Sequence, residues 1–252
     1  MKTAIITGAS TGLGLEFVRQ TAEVFPEIES YWLIARRIDK LQQAAAALPG
    51  KHVECIPMDL CDPAGFAALQ EKLAAEKAEV ALLINNAGCG YLGNIGETDT
   101  ELQTRMIDLN LRALTAVTNI TVPFMTPGSC ILNVSSIASF CPNPRMTVYS
   151  STKAFVSSFT VGLSEELKPK GISVTAVCPG PMKTEFLDVG NITGNSKMFQ
   201  MLPYCDQVRV AGGALRAARA GQTIYTPKLF YKFYRVLAKV VPVKLMVKFA
   251  KT

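Results

Sequence analysis

Thr7-Gly8-Ala9-Ser10-Thr11-Gly12-Leu13-Gly14 follows a short apolar run, residues 3–7, and precedes a segment of helical period, residues 13–25. Glycines at a strand-to-helix turn permit a tight bend. They also let backbone N–H groups approach a phosphate where the helix dipole favours negative charge. A glycine triplet alone marks only a turn; one placed after a first strand and before a helix implies a dinucleotide site.

Outward from that turn the same alternation continues. Runs at residues 31–35, 52–58, 80–85, 130–134, 172–178 and 222–226 read as strands. Residues 37–48, 63–77, 98–125, 148–167 and 205–220 read as helices. Strands separated by helices of this length cannot be hairpins, so the pattern predicts βαβ units: one doubly wound, Rossmann-type parallel sheet of about seven strands with helices on both faces. No linker or repeat interrupts residues 1–227, which read as one nucleotide-binding and catalytic domain, with 185–203 as a substrate lid and 228–252 as a basic C-terminal extension.

The chain has 252 residues, 49% of them hydrophobic, ample for a large core. No apolar stretch long enough for a signal peptide precedes Gly8, so a cytoplasmic protein is expected. Seven cysteines, no Cys-x-x-Cys and His52 as the only histidine predict reduced thiols and no metal site. The net charge of +6 resides in the tail: seven of the 26 basic residues lie from Lys228 onward with no acidic residue among them, leaving 19 basic against 20 acidic before it. A nucleic-acid binder would carry positive charge on its folded body too, so no nucleic-acid partner is expected.

At the end of the second strand a dinucleotide fold meets the adenosine ribose, and a carboxylate there reads a free 2′-hydroxyl. This chain has Ala35 followed by Arg36 and Arg37, which favours a 2′-phosphate and therefore NADP(H), with Arg36 the stronger candidate. Tyr149 and Lys153 fall on one face of a helix. A phenol of pKa ~10 would need that value lowered to about 7 for acid/base work near neutrality. An ammonium ~4 Å away, worth about 4 kcal/mol at an effective dielectric of ~20, can supply this. Asn85-Asn86-Ala87-Gly88, Ser135-Ser136 and Pro179-Gly180-Pro181-Met182-Lys183-Thr184 follow the fourth, fifth and sixth strands, so they converge with the glycine loop on one crevice.

Taken in order, Thr-Gly-x-x-x-Gly-x-Gly, Asn-Asn-Ala-Gly, Asn110, Ser136, Tyr-x-x-x-Lys and Pro-Gly resemble the short-chain dehydrogenase/reductase superfamily over about residues 3–227. The resemblance implies a general acid/base in Tyr149, with Lys153 lowering its pKa and holding the nicotinamide ribose. Ser136, thirteen before the tyrosine, would bind the reacting oxygen. Asn110 would hold a proton-relay water through its helix backbone. The cofactor would be lined by Gly8, Ser10, Thr11, Gly12, Leu13, Gly14, Arg36, Arg37, Asp59, Leu60, Asn86, Ala87, Gly88, Pro179, Gly180, Met182 and Thr184, together with Tyr149 and Lys153. It also implies a homodimer or homotetramer. For Asn110 and Ser135, satisfaction of local backbone is the alternative reading.

The lid carries Phe186, Leu187, Val189, Ile192, Met198, Phe199, Met201 and Leu202, which suit a hydrophobic small-molecule substrate such as a steroid, bile acid or lipid-derived ketone. Ordinary lid packing would use the same residues. In the tail, Lys228, Lys232, Arg235, Lys239, Lys244, Lys248 and Lys251 are spaced by 4, 3, 4, 5, 4 and 3, a helical stripe interrupted at Pro242. Two readings stay open: a helix packed on the body or a sister subunit, favoured, and peripheral contact with an anionic membrane. The expected activity is NADP(H)-dependent interconversion of a carbonyl and an alcohol. A nucleotide sensor with the same fold and a membrane-surface adaptor are the alternatives.

Overall fold

The structure, a computed structural model, describes residues 1–192 and 195–250, without the side chains at 197, 198 and 249. Met198 of the predicted lid and Lys251 of the tail stripe therefore lie outside the described side chains.

Seven parallel strands form one sheet in the order β3-β2-β1-β4-β5-β6-β7. They are β1 (Lys2–Thr7), β2 (Ser30–Ala35), β3 (His52–Pro57), β4 (Glu79–Asn85), β5 (Met125–Val134), β6 (Ser173–Val177) and β7 (Ile224–Tyr225). The central strands are uniformly apolar, as burial on both faces requires: Ala4, Ile5, Ile6, Leu82, Leu83 and Ile84 have no exposed surface. Helices α1 (Gly12–Val24), α2 (Ile38–Ala45) and α9 (Gln207–Arg219) cover one face through Phe17, Leu41 and Leu215. On the other face lie α3 (Ala64–Ala75), α5 (Leu114–Thr121) and α6 (Thr147–Leu167), which supply Leu69, Leu73, Val117 and Leu167, while α4 (Thr100–Ile107) buries Met106 in the cluster around Tyr149. Beyond β6, the short helices α7 (Glu185–Val189) and α8 (Lys197–Met201) lie in the segment expected to act as the lid. After β7 come α10 (Leu229–Val240) and α11 (Val243–Phe249).

The main departures from the sequence reading lie around the fifth and last strands. The helix expected over 98–125 is interrupted by a π turn at Asp108–Ala113 and ends in a 3-10 turn at Val122–Phe124, where Pro123 supplies no backbone donor. Strand β5 then begins at Met125. The last strand shrinks to Ile224–Tyr225, closed off by the left-handed Gly221 (φ 70°) before it and by Pro227 after it.

Candidate active site

The order of the strands reverses between β1 and β4, and the crevice at their carboxyl ends is the place where a doubly wound sheet binds its ligand. A cleft of about 550 Å³ opens there. Every catalytic or cofactor-binding residue expected from the sequence lines it, with the exception of Asn110.

The β1–α1 turn is built from backbone. Gly8 and Gly12 take left-handed conformations (φ 64° and 57°), and the Gly8 N–H donates to the Ile34 carbonyl at 2.8 Å, tying the turn to β2. Gly14 is required for a different reason: a Cβ there would come within 2.0 Å of the Gly8 carbonyl oxygen. Asn86 braces the turn from β4, donating from Nδ2 to the Thr7 and Gly8 carbonyls at 3.1 Å each.

At the outer end of the turn the two predicted arginines separate. Arg37 pairs with Glu185 of the lid at 3.0 Å, both side chains being exposed. Arg36 lines the cleft with no ion pair or hydrogen bond among the described residues, which leaves it available. Asp59 accepts from the Cys61 N–H at 2.9 Å and from Arg105 at 3.1 Å. Burial pushes its carboxyl up, but these donors outweigh burial and hold it below the ordinary carboxylate range.

At the inner end, Tyr149 and Lys153 rise from the first turns of α6, 8% and 5% exposed. The Tyr149 ring lies 5.6 Å from the ring of Phe186, and both close on Gly90, where a Cβ would meet each at 2.7 Å. The Lys153 Nζ donates to the Val134 carbonyl at 2.9 Å and stands 5.8 Å from the centre of the Tyr149 ring. The lowered phenol expected from the sequence is not what this arrangement produces. Burial pushes Tyr149 up to about 12, offset only in part by its hydrogen bond with Ser136. Burial likewise pulls Lys153 down to about 8. Desolvation of the pair exceeds the benefit of one ammonium directed at a carbonyl. The tyrosine keeps its proton, so the pair is set as a donor.

The two adjacent serines divide their tasks. Ser135 Oγ donates to the Lys153 carbonyl at 2.8 Å and meets Ser157 Oγ at 2.8 Å, anchoring α6 to β5. Ser136 faces the cleft, its Oγ accepting from the Ala138 N–H at 3.1 Å. Asn110 sits in the π turn, 1% exposed, and its side chain clamps the loop after β4. Nδ2 donates to the Cys89 carbonyl (2.9 Å) and to Thr152 Oγ1 (3.0 Å), while Oδ1 accepts from the Cys89 N–H (2.9 Å). Its side chain thus holds the cleft wall from behind. Cys89 is in the wall, but burial raises its thiol to about 11, so it is no nucleophile near neutrality. All seven cysteines are free, and no cluster that could hold a metal ion occurs among the described residues.

The lid contributes Phe186, Leu187, Val189, Phe199 and Leu202 to the cleft, and Ile192 is buried beneath it. Met201 does not contribute: it is 85% exposed and points away. Sequence reasoning missed Arg105, Asn143 and the tail residues Phe230, Tyr231, Tyr234 and Met246, all of which line the cleft. No local motif marks them. The only signal was the small residue Gly180, against which the buried ring of Tyr231 packs so closely that a Cβ would meet it at 2.2 Å.

A family model described as short chain dehydrogenase matches residues 2–191. The very-long-chain 3-oxoacyl-CoA reductase-B of Danio rerio is 33% identical over 188 residues, covering 71% of this chain but only 58% of that protein's length. Among solved structures, a short-chain dehydrogenase from Sphingobium yanoikuyae in complex with NADPH superimposes with a TM-score of 0.79 at 29% identity, over 96% of this chain and 97% of that one. A bulky-bulky ketone specific alcohol dehydrogenase from Comamonas testosteroni gives 0.74 at 26% identity, over 96% and 95%.

Proposed function

The chain belongs to the short-chain dehydrogenase family, and from that premise we propose that it is an NADP(H)-dependent oxidoreductase interconverting a ketone or aldehyde and an alcohol on an apolar small molecule. The observation that carries this reading is the meeting of Ser136, Tyr149 and Lys153 at one end of a cleft whose other end is the glycine turn and Arg36.

The residues present fit such a cofactor. The turn from Gly8 to Gly14 is a backbone cradle that side chains would fill, and it opens onto the N-terminus of α1. Arg36 can take a 2′-phosphate, and the Sphingobium yanoikuyae relative was solved in complex with NADPH. The bound nicotinamide would exchange hydride with the carbonyl carbon. Tyr149, buried and protonated, gives its proton to the carbonyl oxygen in the reductive direction, and Ser136 hydrogen-bonds that oxygen as negative charge grows on it. Lys153, held at the Val134 carbonyl, supplies positive charge behind the tyrosine and a donor for the ribose. Asn110 acts as a positioning residue through Cys89 and Thr152.

The substrate reading rests on the far wall, where Phe186, Leu187, Val189 and Phe199 of the lid face Phe230 and Tyr234 of the tail. An apolar wall suits a bulky or long-chain carbonyl compound, in keeping with the bulky-bulky ketone named for the relative from Comamonas testosteroni and the very-long-chain 3-oxoacyl-CoA named for that from Danio rerio. The test is oxidation of NADPH and of NADH against a panel of steroid ketones, long-chain ketones and small aldehydes, with Arg36→Ala in parallel. Expected are NADPH-dependent turnover of an apolar ketone and a rise of roughly tenfold or more in the NADPH KM of the variant, the scale of one lost charge-assisted bond. Equal use of NADH, unaffected by Arg36→Ala, would remove the NADP assignment.

A further inference from the structure

Helices α10 and α11 have an inner side that belongs to the cleft and an outer side exposed among the described residues. On the inner side Tyr231 is fully buried and its hydroxyl donates to the Pro203 carbonyl at 2.8 Å. Tyr234, Ala238 and Val241 pack around Cys141 and Met246. Asn143 Nδ2 donates to the Ala250 carbonyl at 3.2 Å. These contacts hold the tail against the mouth of the cleft, so the direction its outer side faces is set.

Each helical residue advances by about 100°, which brings Leu229, Phe233, Val236 and Val240 into one row. They are 81%, 66%, 59% and 77% exposed. Phe230 lies at the edge of this row and also lines the cleft, so the apolar strip runs into the site's mouth. Val243 and Leu245 of α11 are likewise exposed. Soluble surfaces scatter single apolar side chains, whereas a continuous strip marks a binding face. Along its other margin Lys228, Lys232 and Lys239 form a row of cations, and no acidic residue follows Lys228.

We propose that this face is a docking surface for an anionic lipid bilayer, with the apolar strip at the acyl boundary, the lysines at the headgroups and the mouth of the cleft at the membrane surface. Charge selects this occupant. A second copy related by a two-fold axis would set the same patch against itself, bringing two sets of cations together with no carboxylate on the segment to offset them. Among the described residues no helix is long and apolar enough to cross a membrane, so the segment lies on the bilayer. Docking stands independently of the reaction; only the delivery of an apolar substrate into the cleft rests on the proposed chemistry.

The test is co-sedimentation of the full chain, with NADPH present, with vesicles of phosphatidylcholine alone or containing a minority of phosphatidylglycerol. The anionic vesicles should retain the protein and the neutral ones should retain far less. The double variants Phe233→Ser/Val240→Ser and Lys232→Glu/Lys239→Glu should each weaken retention by roughly tenfold or more. Both should keep NADPH binding and turnover of a water-soluble ketone, since none of the four residues lines the cleft. Retention by neither vesicle, or retention undiminished in both variants, overturns the proposal. So does a solution mass of two chains that falls to one in Phe233→Ser/Val240→Ser, which assigns the face to a second copy. Absence of turnover in every form, with vesicle binding intact, counts against the proposed reaction alone.

Discussion

The two ends of the cleft are built on opposite plans. The nucleotide end consists of backbone and short side chains at the ends of adjacent strands: Gly8, Gly12 and Gly14, braced by Asn86 within hydrogen-bond reach of Thr7 and Gly8. The substrate end is assembled from segments distant in the chain. Gly90, Tyr149 and Phe186 meet at one point, Gly180 receives the ring of Tyr231, and Asn143 reaches Ala250. A rigid cradle suits a cofactor whose phosphates never vary. A wall made of segments outside the turn is where, under the proposed function, specificity for one apolar body would arise.

The largest effect expected from a single change comes where the two ends meet. Tyr149→Phe should lower turnover by ~10²–10⁴-fold while NADPH still binds. Full activity in that variant would mean that the inner end carries no acid/base chemistry. Next, Gly14→Ala forces a Cβ against the Gly8 carbonyl, and backbone cannot swing aside. A loss of about 1–3 kcal/mol in stability, with weakened NADPH binding, should appear in thermal melts and titrations. A neutral outcome would show that the cradle yields and that the two ends differ less than their construction implies.

The pH profile distinguishes Tyr149 from its neighbour Lys153. A lysine loses its charge as pH rises through its pKa, and Lys153 does so near 8, whereas Tyr149 keeps its proton to about 12. Reductive kcat/KM should therefore decline above about pH 8, roughly tenfold per pH unit once the lysine is neutral, and Lys153→Arg should move that limb upward. A limb that stays in place in the arginine variant would assign it elsewhere. The smallest effect should come from Tyr231→Phe, which keeps the ring against Gly180 but removes the bond to Pro203. A loss of ~1 kcal/mol would raise the KM for an apolar ketone several-fold and leave that for NADPH unchanged. An equal rise in both would erase the distinction between the ends.

The sequence by itself determined the sheet, the glycine turn and the convergence of Ser136, Tyr149 and Lys153 on one cleft. Each of these is written in local spacing: strand and helix periods, glycines within one turn, two side chains four apart on a helix. Local spacing also preferred Arg36 to Arg37, and only the tertiary structure pairs Arg37 with Glu185. What the tertiary structure decided concerns groups whose surroundings come from elsewhere in the chain. The pKa of Tyr149 was expected to fall because a cation lies one helical turn away, and it rises because the phenol is sealed in by Phe186 and by the loop that Asn110 holds. Desolvation is a property of everything packed around a group, and no spacing within a pentapeptide encodes it. The tail obeys the same rule. Its amphipathic period can be read directly, but which apolar stripe turns inward to wall the cleft and which is left facing outward depends on where Gly180, Cys141 and Asn143 lie in space.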